Sequence, residues 1–316
     1  MVSSCPARTA RASLRGMETR IGEIAALLTA VSWTFTALAF AFAAERIGSL
    51  ALNILRLLVA LVLFAVLGLV LHGAPIPLAA PASVWFWLGL SGLVGFVFGD
   101  LFLFQAYIDL GARLTQVVFA SAPLMTALIS RFALGETIGP IGLLGMFVVV
   151  CGIALVVAWK PGKTDTPSRL HPHRLRGVVF ALLGGLGQAG GLVLSKIGAP
   201  HFDPFAATQI RVIVGLAGFL VVAAVWGRFS EPWRAMKDRK ALGILSVGAF
   251  FGPFLGVSMG LFAVQRTGAG AAATLMGLTP IMILVPAYFI NKERIRLMEF
   301  LGAIVAVSGT ALLFLF

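Results

Sequence analysis

Apolar residues run along this chain in long stretches, interrupted only by short clusters of Gly, Pro and charged positions. The stretches lie near 21–43, 47–71, 84–107, 114–134, 138–159, 177–199, 204–226, 241–264, 269–290 and 297–316. A helix needs about 20 mainly apolar residues to cross the hydrocarbon core, so the pattern predicts an all-α polytopic membrane protein with ten transmembrane helices. The longest polar stretch, 160–176, is rich in Pro, Lys, Arg and His and reads as a linker, while 1–20 reads as an N-terminal tail. Ser49 is placed to cap the second helix, and Asp203 with Pro204 makes a cap and first-turn pair for the seventh.

The two halves, 21–159 and 177–316, are versions of one another. Gly22, Leu27-Leu28 and Arg56 return as Gly177, Leu182-Leu183 and Arg211, an offset of 155 (211 − 56). Further on the offset is 157 (280 − 123), which carries Gly95, Gly99, Gly111, Pro123, Glu136, Gly145 and Gly152 onto Gly252, Gly256, Gly268, Pro280, Glu293, Gly302 and Gly309. Five crossings per copy would insert the second copy upside down relative to the first. Such inverted five-helix repeats are how many secondary transporters achieve alternating access. Small residues at Ser91, Gly95 and Gly99, and at Gly248, Gly252, Gly256 and Gly260, recur every four positions and predict close helix packing. Pro123 and Pro280 fall inside the fourth and ninth predicted helices, where each removes a backbone hydrogen bond and reads equally as a structural kink or a hinge.

Composition sharpens the class. Hydrophobic residues make up 59% of the 316 and charged residues 11%, with a mean hydropathy of +1.01; a soluble chain would carry about a quarter charged residues. Almost no length remains for a soluble domain. The net charge of +12 sits in short interhelical loops, which suits lipid headgroups and topology rather than nucleic acid. Cys5 and Cys151 make no disulfide framework, and the four histidines make no metal site. The apolar stretch after Arg20 is too long for a signal peptide, and Met17 offers an alternative start just before it. Loops on the side of the 160–176 linker hold most of the Lys and Arg, which places both termini outside by the positive-inside rule.

Polar groups at membrane depth are few, and each asks for a partner or a purpose. They are Asn53, Arg56, Asp100, Gln105, Gln188, Gln209 and Arg211, with Trp33 beside them. Asp100 has no acidic counterpart, since its repeat-mate is Val257. It reads either as an ion-pair partner of Arg56 or Arg211, or as a group that exchanges protons or contacts substrate. The two arginines either maintain the fold or clasp a carboxylate or phosphate. Trp33 aligns with Gln188, so equivalent places in the two halves offer different chemistry, as recognition of an asymmetric molecule requires; plain packing of Trp33 is the other reading. Glu136 and Glu293, at matching helix junctions, read as caps. Lys196, Glu23 and Asp109 lie nearer helix ends, where snorkelling or capping accounts for them. No second buried aspartate accompanies Asp100 to form a proteolytic dyad, and no phosphate-binding loop is present, so neither an enzyme nor an ATP-driven pump is expected.

The two five-helix copies, Trp33, the matched spans Pro123–Glu136 and Pro280–Glu293, and the glycine-rich helices with Gly142, Gly145, Gly152, Gly302 and Gly309 together resemble the EamA family of the drug/metabolite transporter superfamily. That resemblance covers about 21–316. It implies a multi-pass protein of the inner (plasma) membrane, monomeric or homodimeric, that needs no cofactor. It also implies secondary transport, often export, of small organic metabolites such as amino acids, their derivatives or toxic metabolites, driven by protons or another coupling ion. Family members are drawn with both termini cytoplasmic, opposite to the loop charges. A non-transporting membrane scaffold or receptor is the competing expectation.

Overall fold

In lipid a chain must satisfy its backbone polar groups internally, and helices do so within a single segment. The computed structural model describes residues 6–135, 137–158, 173–267, 272, 275–291 and 297–315, and every regular element among them is helical. In chain order they are α1 (Pro6–Ile47), α2 (Ser49–His72), α3 (Ala82–Phe119), α4 (Ala122–Leu134), α5 (Pro140–Ala158), α6 (Arg174–Gly198), α7 (Pro204–Val225), α8 (Ser230–Ala235), α9 (Arg239–Thr267), α10 (Thr279–Met282), α11 (Leu284–Asn291) and α12 (Leu297–Leu315). Among the described residues, seven helical stretches are long and apolar enough to cross a membrane; Ala122–Leu134, Thr279–Phe289 and Leu297–Leu313 are shorter apolar helices.

Several boundaries differ from the sequence expectation. The expected tail is helical from Pro6 and continuous with the first crossing, and the end of the expected linker, from Arg174, is already α6. The third stretch extends to Phe119 only across a break: Gly111, at φ 77° and ψ 166°, is non-helical, so two helices, 82–110 and 112–119, meet there at a kink, where the sequence expects a break between 107 and 114. Thr115 Oγ1 donates to Ala106 O at 3.0 Å and Gln116 Nε2 to Tyr107 Oη at 2.7 Å, binding the two sides of that bend.

Neither proline kinks a continuous helix. Pro123 sits in the first turn of α4, just past a turn at Ala120–Ser121, and Pro280 in the first turn of α10, just past a turn at Gly277–Leu278. A first-turn N–H has no intrahelical acceptor, so proline loses nothing there. Ser49 does not cap α2 either. Gly48, at φ 80°, takes the cap position, and the buried Ser49 hydroxyl donates to Leu101 O at 3.1 Å, tying α2 to α3. Asp203 does cap α7, accepting from Ala206 N at 2.7 Å with Pro204 next in line. Glu136, Glu293 and residues 160–172 of the linker lie outside the described residues.

Packing between the halves is reciprocal. α6 lies along α3 and α1 along α9, so the first helix of each half meets the third of the other; α2 pairs with α7 and α5 with α12. Lipid supplies no hydrophobic drive between helices, so close backbone approach must hold them. The small-residue ridge of α3 provides it: a side chain on Gly187 would begin 2.4 Å from Gly99 Cα, and one on Gly191 2.9 Å from Gly95 Cα. Between α1 and α9 the fit is looser, with Thr36 and Trp33 side chains filling the grooves at Gly252 and Gly256. Within each ridge the helix widens to π geometry, at Leu93–Asp100 in α3 and Phe250–Gly256 in α9. Those stretches start at matching repeat positions, 157 apart (250 − 93), and π turns are rare and frequently mark functional sites.

Candidate functional site

Five polar side chains converge where α2, α3, α6 and α7 meet. Arg56 projects from α2 about two turns past its start, and its Nη2 donates to Asp100 Oδ2 at the end of the π stretch. Its Nε donates to Asn53 Oδ1 at 3.1 Å. Asn53 Nδ2 in turn reaches Ser49 O at 3.0 Å and Asp100 O at 3.4 Å, which fixes the amide's orientation. The second oxygen of Asp100 accepts from Gln188 Nε2 at 2.5 Å, and the same amide nitrogen reaches Gly95 O at 3.2 Å. One carboxylate therefore joins α2 of the first half to α6 of the second.

The cluster is dry. Arg56, Asp100 and Arg211 are 3%, 4% and 5% exposed. Aromatic faces replace water around the cations: Arg56 lies 4.6 Å from the Phe104 ring centroid and 5.6 Å from those of Phe40 and Phe96, and Arg211 lies 4.9 Å from Phe96. Such contacts strengthen as the cation is desolvated. The structure thus brings together Asn53, Arg56, Asp100, Gln188 and Arg211 from the sequence candidates.

The other candidates stand apart. Trp33 is half-buried against Gly256 of the second π stretch, the place equivalent to Gln188 against Gly99. Gln105 donates to Asp109 Oδ1 at 3.3 Å, and Gln209 donates to Pro75 O at 2.6 Å, anchoring the loop after α2.

Two polar contacts escaped sequence reasoning. Asp109 is 4% exposed and takes two hydrogen bonds from Arg176, at 2.7 and 2.8 Å, so it links α3 to the start of α6 rather than capping a helix. Ser91 Oγ lies 2.7 Å from Ser195 Oγ and donates to Gly191 O at 2.6 Å, again between α3 and α6. The i,i+4 run of small residues through Ser91 was the available signal for the second. At the end of α1, Arg46 Nε donates at 2.7 Å to Oδ2 of Asp238, which lies just before α9. That bond, helped by the Ala241 N–H, holds the Asp238 carboxyl below the usual carboxylate range.

Comparison with known proteins agrees with this architecture. A model of the EamA-like transporter family matches residues 20–158 and, a second time, 175–315. An uncharacterized transporter of Synechocystis sp. is 29% identical over 226 residues, covering 69% of this chain and 68% of that protein. The uncharacterized transporter YetK of Bacillus subtilis is 24% identical over 219 residues, covering 67% and 64%. A chloroplastic WAT1-related protein of Arabidopsis thaliana is 23% identical over 233 residues, 73% of this chain and 55% of its own length. One crystal structure, 20% identical, has the same fold with a TM-score of 0.60 over 95% of this chain and 98% of that one.

Proposed function

The chain belongs to the EamA-like transporter family and is a multi-pass membrane transporter, and from that premise we propose that it is a secondary carrier of small organic metabolites. The ten apolar stretches cross the membrane as two five-helix sets of opposite orientation, 21–159 and 177–316. The sets rock against one another and expose a shared midplane site to each side in turn. Amino acids, their derivatives and toxic metabolites are the substrate class, export from the cytoplasm across the inner membrane is the direction, and a proton gradient is the drive.

The observation that carries this reading is the Arg56–Asp100–Gln188 network, which spans the boundary between the halves inside the membrane. A charged network there costs more than an apolar seam would, unless its remaking is part of the work. The reciprocal packing of α1 on α9 and α6 on α3 supports the rocking motion. Asp100, present in one half only, is the coupling residue in this scheme, and Trp33 and Gln188 give the two halves unlike walls.

Flux measurements test the proposal. Purified protein in liposomes should move members of a broad metabolite panel without ATP, faster under an imposed proton gradient. Asp100→Asn should remove the gradient dependence. No movement of any solute by folded protein would end the carrier reading; unchanged pH dependence in the variant would remove Asp100 from coupling.

A further inference from the structure

Arg56 and Arg211 hold matching places in the two halves, yet only one has an acid. Both oxygens of Asp100 are engaged, one by Arg56 and the other by Gln188. The position matching Asp100 in the second half is Val257. Arg211 is 95% buried (5% exposed), and its Nε has no hydrogen-bond partner among the described residues. Its Nη2 lies 3.1 Å from the point where a side chain on Gly95 would begin, and Gln188 Oε1 is 4.0 Å from that same point. Among the described residues of this cluster, two guanidinium groups share one carboxylate, which leaves one positive charge over. An unpaired buried charge is costly. A planar two-oxygen anion is what a guanidinium fork satisfies best.

We infer that Arg211 binds the carboxylate of the transported solute, so that the substrate is a carboxylate-bearing metabolite. This rests on the carrier reading and narrows it. Arg56 is held by the protein's own carboxylate, while Arg211 is completed by the solute's.

Thermal unfolding of the purified full chain in detergent tests the assignment without measuring transport. The probes are sodium acetate, succinate and benzoate, set against acetamide, succinamide and benzamide, with ionic strength matched by sodium chloride. At least one carboxylate should raise the midpoint where its amide does not, and Arg211→Gln should abolish the rise. Arg211→Lys, which keeps the charge and loses the fork, should need about tenfold more carboxylate or beyond, the loss of one charge-assisted hydrogen bond. Stabilisation by the amides or by chloride alone to the same extent, none by any carboxylate, or a full effect in Arg211→Gln would each overturn the inference. Should Arg211→Gln not fold, an unchanged concentration dependence in Arg211→Lys overturns it. Flux of neutral solutes with no carboxylate effect sinks this inference and keeps the carrier; carboxylate binding without flux does the reverse.

Discussion

Replacing Asp100 with Asn keeps the shape of the side chain and its acceptor toward Gln188, but removes the only negative charge in the cluster. Arg56 and Arg211 are then both buried and uncompensated. Breaking a buried ion pair from one side costs about 3–5 kcal/mol. The hydrogen bond from Arg56 that Asp100 accepts as an ionised group, at about 1.5–3 kcal/mol, supplies much of that figure. Arg56→Gln should cost less, because Asp100 keeps Gln188 and gains the undivided attraction of Arg211, leaving the cluster neutral. The double variant should be less destabilised than the two singles sum to, with a coupling of at least about 2 kcal/mol. Denaturant unfolding in detergent, followed by tryptophan fluorescence for wild type, both singles and the double, measures all four. A D100N protein within about 1 kcal/mol of wild type, or strictly additive variants, would refute the view that this pair is dry and mutually dependent.

Three further outcomes are expected. Gly187→Ala puts a methyl 2.4 Å from Gly99 Cα, where only backbone could yield, and should destabilise by about 1–3 kcal/mol. Gly243→Ala, with nothing within 4 Å, should stabilise by about 0.5–1 kcal/mol; unfolding midpoints of the two decide. Ser91→Cys with Ser195→Cys, whose hydroxyl oxygens are 2.7 Å apart, should form a disulfide that halts flux until reductant is added; full flux in the oxidised protein would show that α3 and α6 do not part. The depressed Asp238 carboxyl contributes stability that is fully present above the unfolded carboxylate pKa near about 3.9 and is lost as pH falls through its lower folded value. Asp238→Asn should therefore flatten the acid limb of the midpoint-versus-pH curve, whereas superimposable curves for variant and wild type would deny the Arg46 contact any role.

The repeated arginines and glycines could be read from the sequence because chemistry recurring at a fixed offset survives without coordinates. Gly95, Gly99, Gly145, Gly152, Gly302 and Gly309 are contact points between the halves, and Asp100 meets Arg56, one of its two foreseen partners. Less visible was how the partners divide. Nothing in the spacing says that Gln188 takes the second oxygen of Asp100, or that Arg211 keeps an unpartnered Nε, since both depend on the angle at which α6 and α7 cross α3. Asp109 lies near a helix end, as expected, because Gly111 breaks the helical geometry just beyond it; its partner Arg176 sits on another helix and leaves no signal in the spacing. The prolines were recognised as interruptions, but a residue that kinks a helix and one that begins the next look alike in a run of apolar letters. Gln105 and Gln209 stood out only for being polar in apolar surroundings, and their partners are a neighbouring acid and a loop carbonyl.

A machine with perfect twofold symmetry would have end states of equal energy, facing either side of the bilayer with equal ease. In the proposed carrier, Asp100, which has no acidic counterpart in the other half, lifts that degeneracy. In the proposed rocking scheme, opening one face disturbs the bonds that Asp100 makes with Arg56 and Gln188, and the mirror movement, around Val257, has no such bonds to disturb. In a carrier built this way the resting protein has a preferred orientation, and its bias is written in a single residue that its duplicate half never acquired or has lost.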